Sequence, residues 1–166
     1  MGWKIAILTA SDKGARGERE DTSAQVIREI MEEELDAEVV EYRVVPDEKD
    51  EIMAALIEMA DYYGADLILT TGGIGMSLRD ITPEATLQVV DRLVPGIPEA
   101  MRLAVAERTP HAILMRSVAG IRGLSLIINL PGDPRGVHES LAAILGILPH
   151  ALSMLGGKST PFKEFF

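Results

Sequence analysis

Residues 70–84 read TTGGIGMSLRDITPE. They follow the apolar run Leu67-Ile68-Leu69 and hold three glycines, an Arg-Asp pair and a Thr-Pro-Glu helix start. Glycines let a backbone approach an anion closely. A helix that starts just after them aims its unpaired N–H groups at the same place. The stretch therefore predicts a strand, a phosphate-type loop and a helix in succession. A purely structural Gly-Gly turn is the competing reading, because such turns are common. Asp80 is the discordant element. A carboxylate beside a phosphate cradle is repulsive unless a metal ion or a transferred proton gives it a use.

The same alternation continues outward from this stretch. Residues 4–10 form a near-continuous aliphatic run and read as a buried strand. Residues 21–35 read as a helix, with caps on offer from Asp21, Thr22 and Ser23. Residues 39–45 read as a second strand and 48–63 as a second helix, with Gly64 as its stop. Residues 67–70 are the third strand. Thr82, Pro83 and Glu84 predict a helix with Thr as cap. Gly96 opens another helix towards Glu107, residues 112–118 suggest one strand of a small hairpin, and 124–130 a further strand. Pro134 starts a last long helix. This order predicts an α/β fold of three layers: a mainly parallel sheet with helices on both faces. The expected organisation is a single domain over residues 1–166, a length that suits one full core.

Ligands in such sheets sit beyond the carboxyl ends of the strands. Four segments qualify: 11–20, Pro46-Asp47, 71–82 and 131–135. A parallel sheet gathers them on one edge. Asp47 is either the N-cap of the second helix or a magnesium ligand. Asp80 is either a turn-forming side chain or a second such ligand, since Mg²⁺ is often held by one or two carboxylates plus substrate phosphate. Asp12 and Asp21 flank the first loop and offer the same chemistry. Arg79 either pairs with Asp80 on the surface or supplies a mobile positive charge for phosphate. Asn129 on an aliphatic strand is costly unless its amide finds partners, which a turn or a bound heterocycle would provide. The three histidines, His111, His138 and His150, have no metal-ligand spacing.

The formal net charge of −10 argues against general nucleic-acid binding. It leaves room for a small anionic ligand held by a local Arg and a helix N-terminus. No window is expected to span a bilayer. The start MGWKIAILTA reads as a strand and lacks a cleavage-site pattern. The absence of cysteine excludes disulfides, thiolate zinc sites and a Cys nucleophile. These features favour the cytoplasm.

Taken together, the motifs resemble the molybdopterin adenylyltransferase (Mog/MoaB) family of molybdenum cofactor biosynthesis. The matching residues are Ser11-Asp12 with Asp21-Thr22-Ser23, Pro46-Asp47-Glu48, Thr70-Thr71-Gly72-Gly73 and Arg79-Asp80-Ile81-Thr82-Pro83-Glu84-Ala85. Pro95-Gly96-Ile97-Pro98-Glu99 and Asn129-Leu130-Pro131-Gly132-Asp133-Pro134 follow in order. The resemblance implies a molybdopterin-binding-type fold, usually a homotrimer, and transfer of AMP from ATP to the terminal phosphate of molybdopterin with Mg²⁺ and release of pyrophosphate. It implies Asp47 and Asp80 as catalytic and metal-holding residues. It implies Thr71, Gly72, Gly73, Gly75, Arg79, Ser11, Asp12, Asn129, Pro131 and Gly132 as substrate contacts, and a downstream molybdate-insertion protein as partner. Ile74 stands where the family usually has Thr, Met115 where Ser is usual, and Ala24 where Gly is common. The alternatives are a trimeric molybdopterin carrier without catalysis and a nucleotide-processing domain of the competence-damage type, whose loop usually has Asp-Asp in place of Arg79-Asp80.

Overall fold

The computed structural model describes residues 2–157. Six strands lie in the order β2-β1-β3-β6-β5-β4. Their spans are β1 Lys4–Ala10, β2 Glu38–Val45, β3 Leu67–Thr71, β4 Arg92–Leu93, β5 Ala119–Arg122 and β6 Ser125–Leu130. β1 runs parallel to β2 and β3, and β3 parallel to β6, while β5 is antiparallel to both β6 and β4. The helices are α1 Asp12–Ala15, α2 Thr22–Leu35, α3 Lys49–Asp61, α4 Thr82–Val89, α5 Gly96–Ala106, α6 Pro134–Ile144 and α7 Leu148–Leu155.

Strand alternation sends side chains to two cores. Ile5, Ile7, Leu67, Leu69 and Ile128 pack with α2, α5, α6 and α7 on one face. Ala6, Leu8, Ile68 and Ile127 pack with α3 and α4 on the other. The three-layer, mainly parallel arrangement agrees with the expectation. The chain crosses from β1 to β2 on one side and from there to β3 on the other. The switch point thus lies between β1 and β3, where a parallel sheet opens a crevice.

Several local expectations are corrected. Residues 112–118 are not a strand. Residues 110–114 form a 3₁₀ turn begun by Pro110, and the hairpin is β5–β6 across Gly123-Leu124. The reason is tertiary: Arg116 N donates to Ile74 O at 2.9 Å and Arg102 Nη1 of α5 to Met115 O at 3.1 Å, so the segment is held between the glycine loop and α5. The last helix is interrupted by a 3₁₀ turn at 145–147. Pro149 has no N–H for the carbonyl of Leu145, so a continuous α-helix loses a bond there. By length and composition alone, residues 134–155 are long and apolar enough to cross a bilayer, contrary to the sequence expectation. Val137, Leu141, Ile144, Leu148 and Leu152 of this run are, however, buried in the sheet's own core.

Candidate active site

The C-terminal ends of β1, β2, β3 and β6 meet on one edge. Adjacent backbones are tied there: Ser11 N donates to Val45 O at 2.9 Å and Gly72 N to Leu130 O at 3.2 Å. Thr71 Oγ1 donates to Pro131 O at 2.6 Å, and Ser23 Oγ to Gly132 O at 2.7 Å. All four loops expected at this edge are present. Gly72 and Gly73 have φ of 95° and 71°, a region that favours glycine. A Cβ on Gly72 would run into Ala10 O, and one on Gly73 into Thr82 Oγ1 with Asp47 Oδ1 at 3.3 Å. The glycines therefore let the loop lie directly on the strand ends.

Two clefts open over this edge. The larger, about 550 Å³, is walled by apolar side chains that include Ile74, Val105, Ala112, Leu114 and Met115, with Arg135 and Glu139 on its rim. The smaller, about 360 Å³, is more polar and is lined by Ser11, Arg19, Asp21, Asp47, Thr71 and Gly72. Gly73, Asp80, Gly132 and Asp133 border both. Asp80 thus stands on the ridge between two binding spaces.

Asp47 is half-buried and does not cap α3, whose N-cap is Glu48 without a side-chain bond. Its Oδ2 accepts instead from Asp12 N at 3.0 Å, while Asp12 Oδ1 accepts from Asp47 N at 3.0 Å. This reciprocal pair locks the two strand ends together. Burial, with the charges of Asp12 and Asp80 nearby, raises the Asp47 pKa above the ordinary aspartate value. Arg79 does not pair with Asp80. It grips Asp12 through Nε at 3.1 Å and Nη2 at 2.9 Å, and Nη2 also reaches Glu48 at 2.9 Å. That guanidinium holds the Asp12 pKa below the ordinary value.

Asp80 lies in a turn of its own. Its Oδ2 accepts from Ser77 N at 2.9 Å, and its N donates to Ser77 O at 3.0 Å. The turn-forming reading of Asp80 and a site role are thus compatible, because Oδ1 has no partner among the described hydrogen bonds. Thr82 is not the cap of α4: Ile81 is, and the buried Thr82 hydroxyl has no partner among the described residues. Ser11 Oγ accepts from Gly14 N and so caps α1. Asn129 is fully buried. Its Oδ1 accepts from Val118 N at 3.1 Å, and its Nδ2 donates to Thr70 Oγ1 at 3.0 Å and Thr86 Oγ1 at 2.9 Å. The amide therefore supports the strand ends from below and does not present an edge to a heterocycle. Pro131 borders the larger cleft and Gly132 borders both.

Ile74 and Met115, two of the family departures, both line the larger cleft and make its wall apolar. Ala24 is in the α2 core. Arg116 and Glu84 form a feature the sequence reading missed. In the sequence Glu84 marks a helix start and one position of the family motif, and nothing local marks Arg116 as its partner 32 residues away.

No group of three or more His, Cys, Asp or Glu suited to a metal ion exists among the described residues. Asp47 and Asp80 both line the smaller cleft, and each bonds through Oδ2 only among the described hydrogen bonds, which fits Mg²⁺ held jointly with ligand phosphates and water.

An open α/β sheet with a polar cleft at its switch point, an apolar cleft beside it and a glycine loop backed by a helix N-terminus defines a ligand-binding protein suited to phosphate-bearing molecules. Comparison with known proteins narrows this. The family described as a probable molybdopterin binding domain matches residues 6–150. A molybdopterin adenylyltransferase from Helicobacter pylori is 45% identical over 161 residues, 96% of this chain and 92% of that protein. One from Haemophilus influenzae is 38% identical over 167 residues, 93% of this chain and 85% of that protein. The crystal structure of the molybdopterin biosynthesis enzyme MoaB from Thermus thermophilus superimposes with a TM-score of 0.89 at 53% identity, covering 94% of this chain and 98% of that one. The chain belongs to the molybdopterin-binding domain family of molybdenum cofactor biosynthesis.

Proposed function

We propose that this protein is a molybdopterin adenylyltransferase. A terminal phosphate oxygen of molybdopterin attacks the α-phosphorus of ATP, the bond from that phosphorus to the bridging oxygen of the β-phosphate breaks, and pyrophosphate leaves. The observation that carries the reading is the position of Asp80 on the ridge shared by two clefts. A transfer between two bound substrates needs two spaces that meet at one reacting point. The relatives named for this activity support it.

Both substrates are anionic and repel each other, so the site must align them and offset charge that builds on the transferred group. The apolar wall of the larger cleft suits a planar heterocycle. The polar cleft, with Arg19, the glycine-loop backbone and the start of α2, suits phosphate groups. Asp47 and Asp80 would hold Mg²⁺, which supplies electrostatic stabilisation of the transferring phosphoryl group when bound. Arg79 is half-exposed and within reach of the loop, so it can exchange its Asp12 and Glu48 partners for phosphate oxygens.

The assembly is a homotrimer in the cytoplasm that delivers its product to a molybdate-insertion protein. Exposed apolar side chains such as Leu93, Leu103 and Leu124 support burial between copies. Sedimentation equilibrium tests the assembly, and a monomer would overturn it. The activity is tested by pyrophosphate release from ATP and Mg²⁺ with molybdopterin as acceptor. Acceptor-dependent release is expected. Molybdopterin binding without release would favour a carrier.

A further inference from the structure

We infer that Arg116 is the positioning residue of Asp80: one guanidinium ties both ends of the loop that carries Asp80 to the helix behind it. The inference rests on the adenylyltransferase reading for its kinetic part.

The loop between Ile74 and Asp80 is internally folded but has few attachments. Its tip is exposed, with Met76 72% and Leu78 101% accessible. Asp80 is folded back against Ser77, and Gly75 leaves room for it, since a Cβ there would lie 2.8 Å from Asp80 Oδ2. These contacts fix the shape of the turn. They do not fix where the turn sits over the clefts.

Two arginines supply that placement: Arg79 reaches Asp12 and Glu48 from within the loop, and Arg116 holds both of its ends. The Arg116 backbone N donates to Ile74 O at 2.9 Å. Its Nε donates to Gly75 O at 2.7 Å, at the start of the loop, and its Nη2 to Asp80 O at 2.8 Å, at the end. Its Nη1 donates to both Glu84 oxygens, at 3.0 and 2.8 Å, on the first turn of α4. The guanidinium is thus spent on two carbonyls and one carboxylate, and Glu84 balances its charge. Little of it is left for a ligand phosphate, so its role is geometric. Only a planar fork reaches these three acceptors at once, which a lysine ammonium cannot copy. A shift of about 1 Å in a reacting group is enough to cost roughly 100-fold in rate.

The test uses the full chain with Arg116→Gln, Arg116→Lys and Glu84→Gln. Two readouts are taken: steady-state pyrophosphate release, and amide hydrogen exchange of peptides covering residues 74–81. In R116Q, kcat is expected to fall about 30–100-fold with KM for both substrates within about threefold. R116K should rescue little. Exchange should rise in 74–81 and stay unchanged in β1 and β3. Unchanged exchange in 74–81, or a rise in KM with kcat intact, would overturn the inference. Should R116Q lose its melting transition, E84Q carries the same test with a smaller expected loss of about three- to tenfold. A wild-type chain without activity would overturn the adenylyltransferase reading alone, because the exchange measurement still decides whether Arg116 holds the loop.

Discussion

The strand-end ledge and the loop in front of it hold their carboxylates in different ways. On the ledge, Asp47 is half-buried and bonded to the backbone of Asp12, with Asn129 and Thr71 bracing the strands beneath. In front, Asp80 belongs to a turn whose tip is exposed and whose position depends on Arg116 and Arg79. The ledge is fixed by the sheet and cannot move without breaking it. The loop has its shape fixed but its placement set by two arginines. This division suits a two-substrate transfer, in which one group stays fixed and another must admit ligands on both sides.

Four perturbations break or sharpen this contrast. The largest effect belongs to the loop. Asp80→Ala should lower kcat roughly 1,000-fold while molybdopterin binding and the melting temperature barely change. Calorimetric titration beside the turnover assay checks this, and equal losses of binding and turnover would erase the distinction between the regions. Next comes the ledge. Asn129→Ala leaves Val118 N and the buried Thr70 hydroxyl without their partner, while Thr86 keeps its bond to Thr82 O, and should cost about 3 kcal/mol, or roughly 6–12 °C in melting temperature. A thermal melt decides it, and a loss confined to activity would mean that Asn129 acts on ligand after all.

Arg79→Ala joins the two regions. As an exposed pair it should leave the melting temperature nearly unchanged, while KM for ATP rises about tenfold as a charge-assisted phosphate contact is lost. If KM for ATP is unchanged, Arg79 only staples the loop to the ledge. The smallest effect is in pH. The Asp47 pKa is raised, chiefly by burial, so Asp47 favours the folded state at low pH, and that contribution is lost as pH rises through its folded value. Asp12 has the opposite sign: its lowered pKa, due first to Arg79, contributes stability above the unfolded value that is lost as pH falls through the folded one. Since Asp47 must be ionised to hold a cation, the acid limb of kcat/KM should lie above the ordinary aspartate value. D47N should melt slightly higher at neutral pH while losing activity. A pH profile and a melt together check both signs, and a lower D47N melting temperature would show that the Asp12 N–H bond outweighs burial.

Much of this ledge was legible in the chain. The aliphatic runs at β1, β3 and β6 alternate with helical patterns, and that order alone requires crossovers and a parallel sheet. Gly72 and Gly73 marked the loop because only glycine tolerates both the positive φ and the contact with the strand ends. Asp47 and Asp80 were visible as strand-end carboxylates. The partners of these residues were not visible. The capping alternative for Asp47 gives way to a bond with the Asp12 backbone, Thr82 is not the cap but the buried first residue of α4, and the surface-pair alternative for Arg79 gives way to Asp12 instead of Asp80. Each difference has the same origin. Local rules assign a polar side chain to its nearest backbone, whereas the sheet brings distant strand ends closer than that.

By itself, the sequence determined the alternation of elements, the glycine loop, the two carboxylates and the family, because hydrophobic period, φ requirement and motif order are local properties. Only the tertiary structure decided that two clefts meet at Asp80, that Asn129 is a brace, and that Arg116 joins residues 32 and 41 positions away. Those are distances between chain segments, and they are set by strand order and packing, which no local window contains.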